Sequence, residues 1–216
     1  MIRIPHAGLV LVAIAGRTWA QDFNVDVGET GTQPTASYAA AGLAGVWNNV
    51  RANHVAPFTP GPTASDDMLV GVDGNPTGVG FHQYGGMDHV TASDPSVTGN
   101  DALLLHDHLA THSLTLESCM YLNGLENGTY EVIPYGWMPN TPGTNQLVRF
   151  DDHPGSTLVG ASWPGAHVEG VTYSRDIIEV TTGHIGFHVG IPSGGAAFPG
   201  AGFNGFQLKL VAGAPV

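Results

Sequence analysis

Cysteine is all but missing from this chain. Cys119 is the only one in 216 residues, so no intramolecular disulfide can form and stability must come from packing or from bound ions. Basic residues are nearly as scarce. Six Lys and Arg stand against eighteen Asp and Glu, a formal charge of −12, and a surface of that sign repels phosphate backbones and anionic lipids. Nucleic acid is thereby excluded as a partner, and neutral or cationic partners are favoured. No apolar run approaches the ~20 residues that a membrane-spanning helix requires, so no membrane span is expected. The sequence also has no H-E-x-x-H, no C-x-x-C, no phosphate loop and no complete dinucleotide fingerprint. Ser162 does not sit in a G-x-S-x-G elbow, and Pro164 stands where the following helix would begin. Glycosidase-type carboxylate pairs stay open, because on a sandwich they come from different strands and leave no linear trace.

Glycine is plentiful, at 31 residues beside 15 prolines, yet hydrophobic residues make up 42% of the chain, too many for a disordered one. Short strands joined by tight turns account for both features. Residues 1–20 read as a secretory leader: Arg3 gives a positive start, residues 7–15 are apolar, and Ala20 offers a small residue at the cleavage point. That predicts a secreted protein, extracellular or periplasmic. Residues 21–216 then form one domain. Phe23, Val25 and Val27 alternate with Asn24 and Asp26, the pattern of a strand with one buried face. Residues 37–50 suggest a short helix or irregular turn, and 84–100 a long surface loop. Residues 114–122 and 129–137 form a strand, turn, strand unit, with Met120 and Leu122 on one side of the first strand. Further strands are predicted over 146–150, 157–161, 176–181, 184–189 and 203–211. Connections this short leave no room for crossover helices, so the expected fold is all-β: a single antiparallel β-sandwich whose first strand, near Phe23, lies close to its last, near Phe203.

Three stretches and the closing strand carry a family likeness: Tyr38-Ala39-Ala40-Ala41-Gly42 running to Gly45-Val46-Trp47-Asn48; Gly124-Leu125-Glu126-Asn127-Gly128-Thr129-Tyr130 with Tyr135 and Trp137; Trp163-Pro164-Gly165 followed by Glu169-Gly170-Val171-Thr172-Tyr173; and Phe203-Asn204-Gly205-Phe206-Gln207-Leu208. Together they resemble secreted bacterial proteins of the galactose-binding-type jelly-roll kind. The resemblance implies a jelly-roll sandwich that binds glycans, mediates adhesion or serves beside an enzyme, and it carries over no catalytic residue. The chain departs from the pattern at Leu105-His106-Asp107-His108-Leu109, where histidines replace the acidic and aromatic residues expected there.

Those histidines are one candidate site. His106, His108 and His112, with Asp107, offer imidazole and carboxylate donors suited to zinc or copper, provided the segment bends enough to converge them. Asp26, Glu29 and Asp73 could contribute oxygen ligands to a structural calcium. A second candidate is aromatic: Tyr135 and Trp137 alternate on one strand face and could form a flat stacking surface for a sugar ring. A third is the pair His184 and His188, which flank Gly186 on a predicted strand and share its outward face. The leading functional expectation is a secreted, non-catalytic binding module for a neutral glycan or an extracellular matrix component. The alternatives are a self-associating structural subunit of a filament or matrix, and a metal-dependent hydrolase or oxidase built on the histidine cluster.

Overall fold

The computed structural model describes residues 21–28, 31–51, 62–84, 87–111, 117–139, 146–151, 153–158, 160–190 and 202–213. The proposed leader lies outside them. In chain order the elements are β1 (Phe23–Gly28), β2 (Trp47–Arg51), β3 (Pro62–Val70), β4 (Pro76–Tyr84), β5 (Met87–Thr91), α1 (Gly99–Leu105), β6 (Asp107–Thr111), β7 (Glu117–Asn123), β8 (Gly128–Tyr135), β9 (Gln146–Phe150), β10 (His153–Leu158), β11 (Asp176–Val180), β12 (His184–Gly190), β13 (Gly202–Phe203) and β14 (Gly205–Gly213). The protein is an all-β sandwich. A five-stranded sheet in the order β11-β8-β14-β1-β2 faces a six-stranded sheet in the order β10-β9-β12-β7-β4-β3, and a three-stranded ribbon, β13-β6-β5, stands beside them. The first strand does lie against the last long one, with Phe23 opposite Leu208. One pairing departs from the antiparallel expectation: β1 and β2 run parallel, because the chain between them crosses the outer face of the sheet instead of turning back as a hairpin. Among the described residues no helix is long and apolar enough to cross a membrane.

The main core lies between the two large sheets and follows from strand alternation. Phe23, Val25 and Val27 of β1, Met120 and Leu122 of β7, Tyr130 and Val132 of β8, and Ile185, Phe187 and Val189 of β12 all point into it. A second cluster covers the outer face of the five-stranded sheet. There Ile133, Tyr135 and Trp137 meet Trp47, Val97, Leu104 and Leu105, with Tyr38, Trp163 and Tyr173 packed against them. Of the two alternatives for 37–50, a short helix or an irregular turn, the structure takes the second, a series of turns ending in β2. The segment predicted as a surface loop, 84–100, holds β5 and opens α1. Seven residues of helix are too short to print a helical period on a sequence.

Because that outer face is covered, the polar residues of β1 are buried as well. Asn24 is satisfied there: its Oδ1 accepts from Gln207 Nε2 at 2.7 Å, and its Nδ2 donates to the Leu43 carbonyl at 3.0 Å. Asp26 fares worse. Burial first, then the charge of Asp107, pushes its carboxyl well above the ordinary 3.8. Below pH 3.8 both folded and unfolded chains hold this proton. Above it the unfolded chain releases the proton first, so stability falls as pH rises towards the folded value. Asp26→Asn should remove that loss and gain on the order of 1–3 kcal/mol at pH 7. Urea melts at pH 5 and pH 7 check it: an undiminished pH difference in the variant would refute the account.

Candidate functional site

On the outer side of the six-stranded sheet, opposite the core, alternation brings a polar and aromatic set together. Where Met120 and Leu122 turn inward on β7, Cys119, Tyr121 and Asn123 turn outward. Register then places neighbours beside each: His188 is opposite Cys119, Gly186 opposite Tyr121 and His184 opposite Asn123 on β12, while His82 of β4 is opposite Tyr121 from the other side. Arg149 of β9 is opposite His188. One surface thus gathers three histidines, a tyrosine, an arginine and an amide from four adjacent strands.

Asp151, just beyond β9, ties this surface together. Its Oδ2 is 3.1 Å from His184 Nε2 and its Oδ1 is 2.7 Å from His188 Nε2. A carboxylate only accepts, so both imidazoles donate from Nε2. Gly186 makes room for the carboxylate, since a Cβ at that position would stand 2.3 Å from Asp151 Oδ2. Partial burial pushes the Asp151 carboxyl up, but the hydrogen bonds and charges of His188 and His184 outweigh it, and its pKa lies below the ordinary 3.8. The stabilisation from this group is therefore present above that value and is lost as acid takes the pH down through the depressed one. Beyond His188, its Nδ1 is 3.2 Å from Cys119 Sγ. His184 Nδ1 is 3.2 Å from Asn123 Oδ1. The Tyr121 ring stacks on His82, with centroids 4.6 Å apart and planes 15° off parallel, and leans towards His184 at 5.3 Å. Next to this surface a cleft of about 390 Å³ opens, lined by Asp151, His153, Glu179, Thr182 and His184 among others.

His184 and His188 therefore share one outward face, as their spacing predicts. Tyr135 and Trp137 also share a face, but it is not a solvent-facing platform: both rings are fully buried in the second cluster. The Tyr135 hydroxyl donates to the Gln207 side-chain oxygen Oε1 at 2.6 Å, and Trp137 donates Nε1–H to the Ala161 carbonyl at 2.9 Å. Nor do the described members of the histidine cluster converge. His106 caps the C-terminus of α1 and turns to Asp94, Asp107 accepts from Thr32 Oγ1 at 2.9 Å, and His108 is buried on the opposite side of β6 against Met138 and Gly202. A helix end followed by a strand sends successive side chains to different faces. His112 lies outside the described residues, as does Glu29 of the calcium expectation; Asp73 accepts from Asn75 at an exposed turn. Among the described residues no group of three or more His, Cys, Asp or Glu could hold a metal ion.

No family model matches the chain, and no curated protein does. Solved structures do resemble it. The crystal structure of a plant receptor-like kinase, ANX1, shares 13% identity at a TM-score of 0.52, over 88% of this chain and 49% of that one. The likeness shows the fold. This chain spans about half the length of that receptor structure. A family 35 carbohydrate-binding module from Clostridium thermocellum shares 13% identity at a TM-score of 0.36, over 59% of this chain and 90% of the module.

Sequence reasoning missed Tyr121, His82, Asn123 and Arg149. The signal for Tyr121 was available, because placing Met120 and Leu122 inside puts Cys119, Tyr121 and Asn123 outside. The contribution of Asp151 was not legible, since it depends on a pairing between β9 and β12 that no local pattern encodes.

Proposed function

We propose that the outer face of the six-stranded sheet is a carbohydrate-binding surface of a secreted, non-catalytic protein. The observation that carries this reading is the half-exposed Tyr121 ring, stacked on His82 and flanked by His184, with the Asp151 carboxylate and the Asn123 amide close by. A sugar ring offers an apolar C–H face and a rim of hydroxyls. An aromatic plane beside fixed polar groups matches both at once. The adjoining cleft gives a glycan chain room to extend. The acidic balance of the protein as a whole favours a neutral glycan. Export, expected from residues 1–20, belongs to the same reading.

A glycan array with the purified protein tests it, followed by titration of the best ligand. Tyr121→Ala should weaken binding by about tenfold to a hundredfold, as loss of one stacking anchor does elsewhere, and Asp151→Asn by less. Wild-type affinity in Tyr121→Ala would move the site elsewhere. Absence of binding to any glycan would overturn the reading altogether.

A further inference from the structure

Cys119, His188 and Asp151 form a line whose geometry has a chemical meaning separate from sugar binding. Asp151 Oδ1 accepts from His188 Nε2 at 2.7 Å, which fixes the imidazole with its Nδ1 lone pair towards Cys119 Sγ, 3.2 Å away. That is the order nucleophile, base, orienting carboxylate. The thiol is not enclosed: Cys119 is half-buried and faces outward. On either side of it the register places His188 on β12, with Arg149 beside His188 on β9, and Tyr84 on β4; a cationic or hydrogen-bonding neighbour of this kind is what activates a thiol. The space for Asp151 is built in, because any side chain at Gly186 would overlap the carboxylate that orients the base.

We propose that Cys119 is a site of covalent modification by thiol–disulfide exchange, with His188 as the base and Asp151 as its positioning residue. Acyl transfer is a poorer fit. Cys119 lies on β7, paired on one side with β4 and on the other with β12, so among the described residues the ladder engages the backbone N–H groups around it and leaves none for an oxyanion hole. Disulfide exchange needs no oxyanion hole. His188 takes the thiol proton, and the thiolate attacks one sulfur of a small organic disulfide. A new S–S bond forms at Cys119 as the old one breaks, and the departing thiolate leaves with the proton from His188. Cys119 is oxidised, and half of the disulfide is reduced to a thiol. The reaction partner is thus a low-molecular-weight disulfide, and the product is the chain with a single mixed disulfide at its only cysteine.

The test is the rate of reaction with dithiodipyridine between pH 5 and pH 9, followed by the released thiopyridone, with free glutathione as the reference thiol. Oxidised glutathione and mass spectrometry then locate the adduct. An activated Cys119 should react at least about tenfold faster than glutathione at pH 6 and hold its rate as the pH falls, where an ordinary thiol, with a pKa near ~8.5, loses about tenfold per pH unit. His188→Gln should abolish that advantage, and Asp151→Asn and Gly186→Ala should reduce it, with Cys119→Ser inert. If His188→Gln fails to fold, the wild-type pH profile decides alone. A rate that tracks glutathione across the range, or an unchanged profile in a folded His188→Gln, would overturn the proposal. Glycan binding is read separately, since loss of Tyr121 should leave the thiol rate intact.

Discussion

Truncation of Trp137 to alanine should destabilise the fold by about 3–5 kcal/mol, the range for a large aromatic side chain removed from a core. The ring is fully buried, its Nε1–H is committed to the Ala161 carbonyl, and it meets Trp163 edge-on with centroids 5.9 Å apart. Removing it leaves a cavity among Leu104, Leu105 and Tyr135. A urea midpoint measures the loss directly. The same variant separates two accounts of this residue: a stacking platform would lose ligand affinity at constant stability, whereas a core residue loses stability while its folded fraction keeps its affinity. Ligand affinity lost from a variant of unchanged midpoint would refute the core assignment.

Asn204 is expected to be comparably sensitive, for a different reason. It sits between β13 and β14 with no exposure to solvent, and one amide group serves three backbone partners. Its Oδ1 accepts from the Trp137 N–H at 2.7 Å, and its Nδ2 donates to the carbonyls of Leu105 and Asp107 at 3.2 and 3.0 Å. These bonds fasten the end of α1 and the start of β6 to the strand end of β8. Asn204→Leu strands all three groups in a dry interior at about 1–3 kcal/mol each, offset in part by relaxation, so a fall in melting temperature of roughly 10 °C is expected. Asn204→Asp should do no better, because it turns a third acceptor towards two carbonyls. A melting temperature within two or three degrees of wild type for either variant, on the order of 1 kcal/mol, would show that the three bonds are not limiting.

The sandwich was legible where one period governs a strand. In β1 and β12 the apolar residues fall on alternate positions and the structure sends them inward, so the outward placement of His184 and His188 came from the same pattern as the core. In β8 alternation correctly put Tyr135 on the face opposite Val132. It could not show that this face is roofed by the crossover before β2 and by α1, because a covered strand face and an aromatic binding surface have the same local composition. The metal expectation for the His106 segment required a bend that converges its side chains; instead a change from helix to strand falls at its start and sends His106, Asp107 and His108 to different partners. The Asp151 bridge was hidden in the opposite way, joining residues separated by more than thirty positions.

The pairing of β1 with β14 also constrains when this protein can fold. Asp22 accepts a hydrogen bond from the Leu210 amide, a residue 188 positions away, and β14 is the strand that joins β1 to β8. Until β14 exists, β1 and β8 each lack the neighbour between them, so the five-stranded sheet cannot close on a partial chain. At ribosomal rates that wait lasts about 10–40 s, with apolar strand faces uncovered throughout. Contacts this distant in sequence also make closure slow once the chain is complete. Until its last strand is made, such a chain needs protection from its own edges.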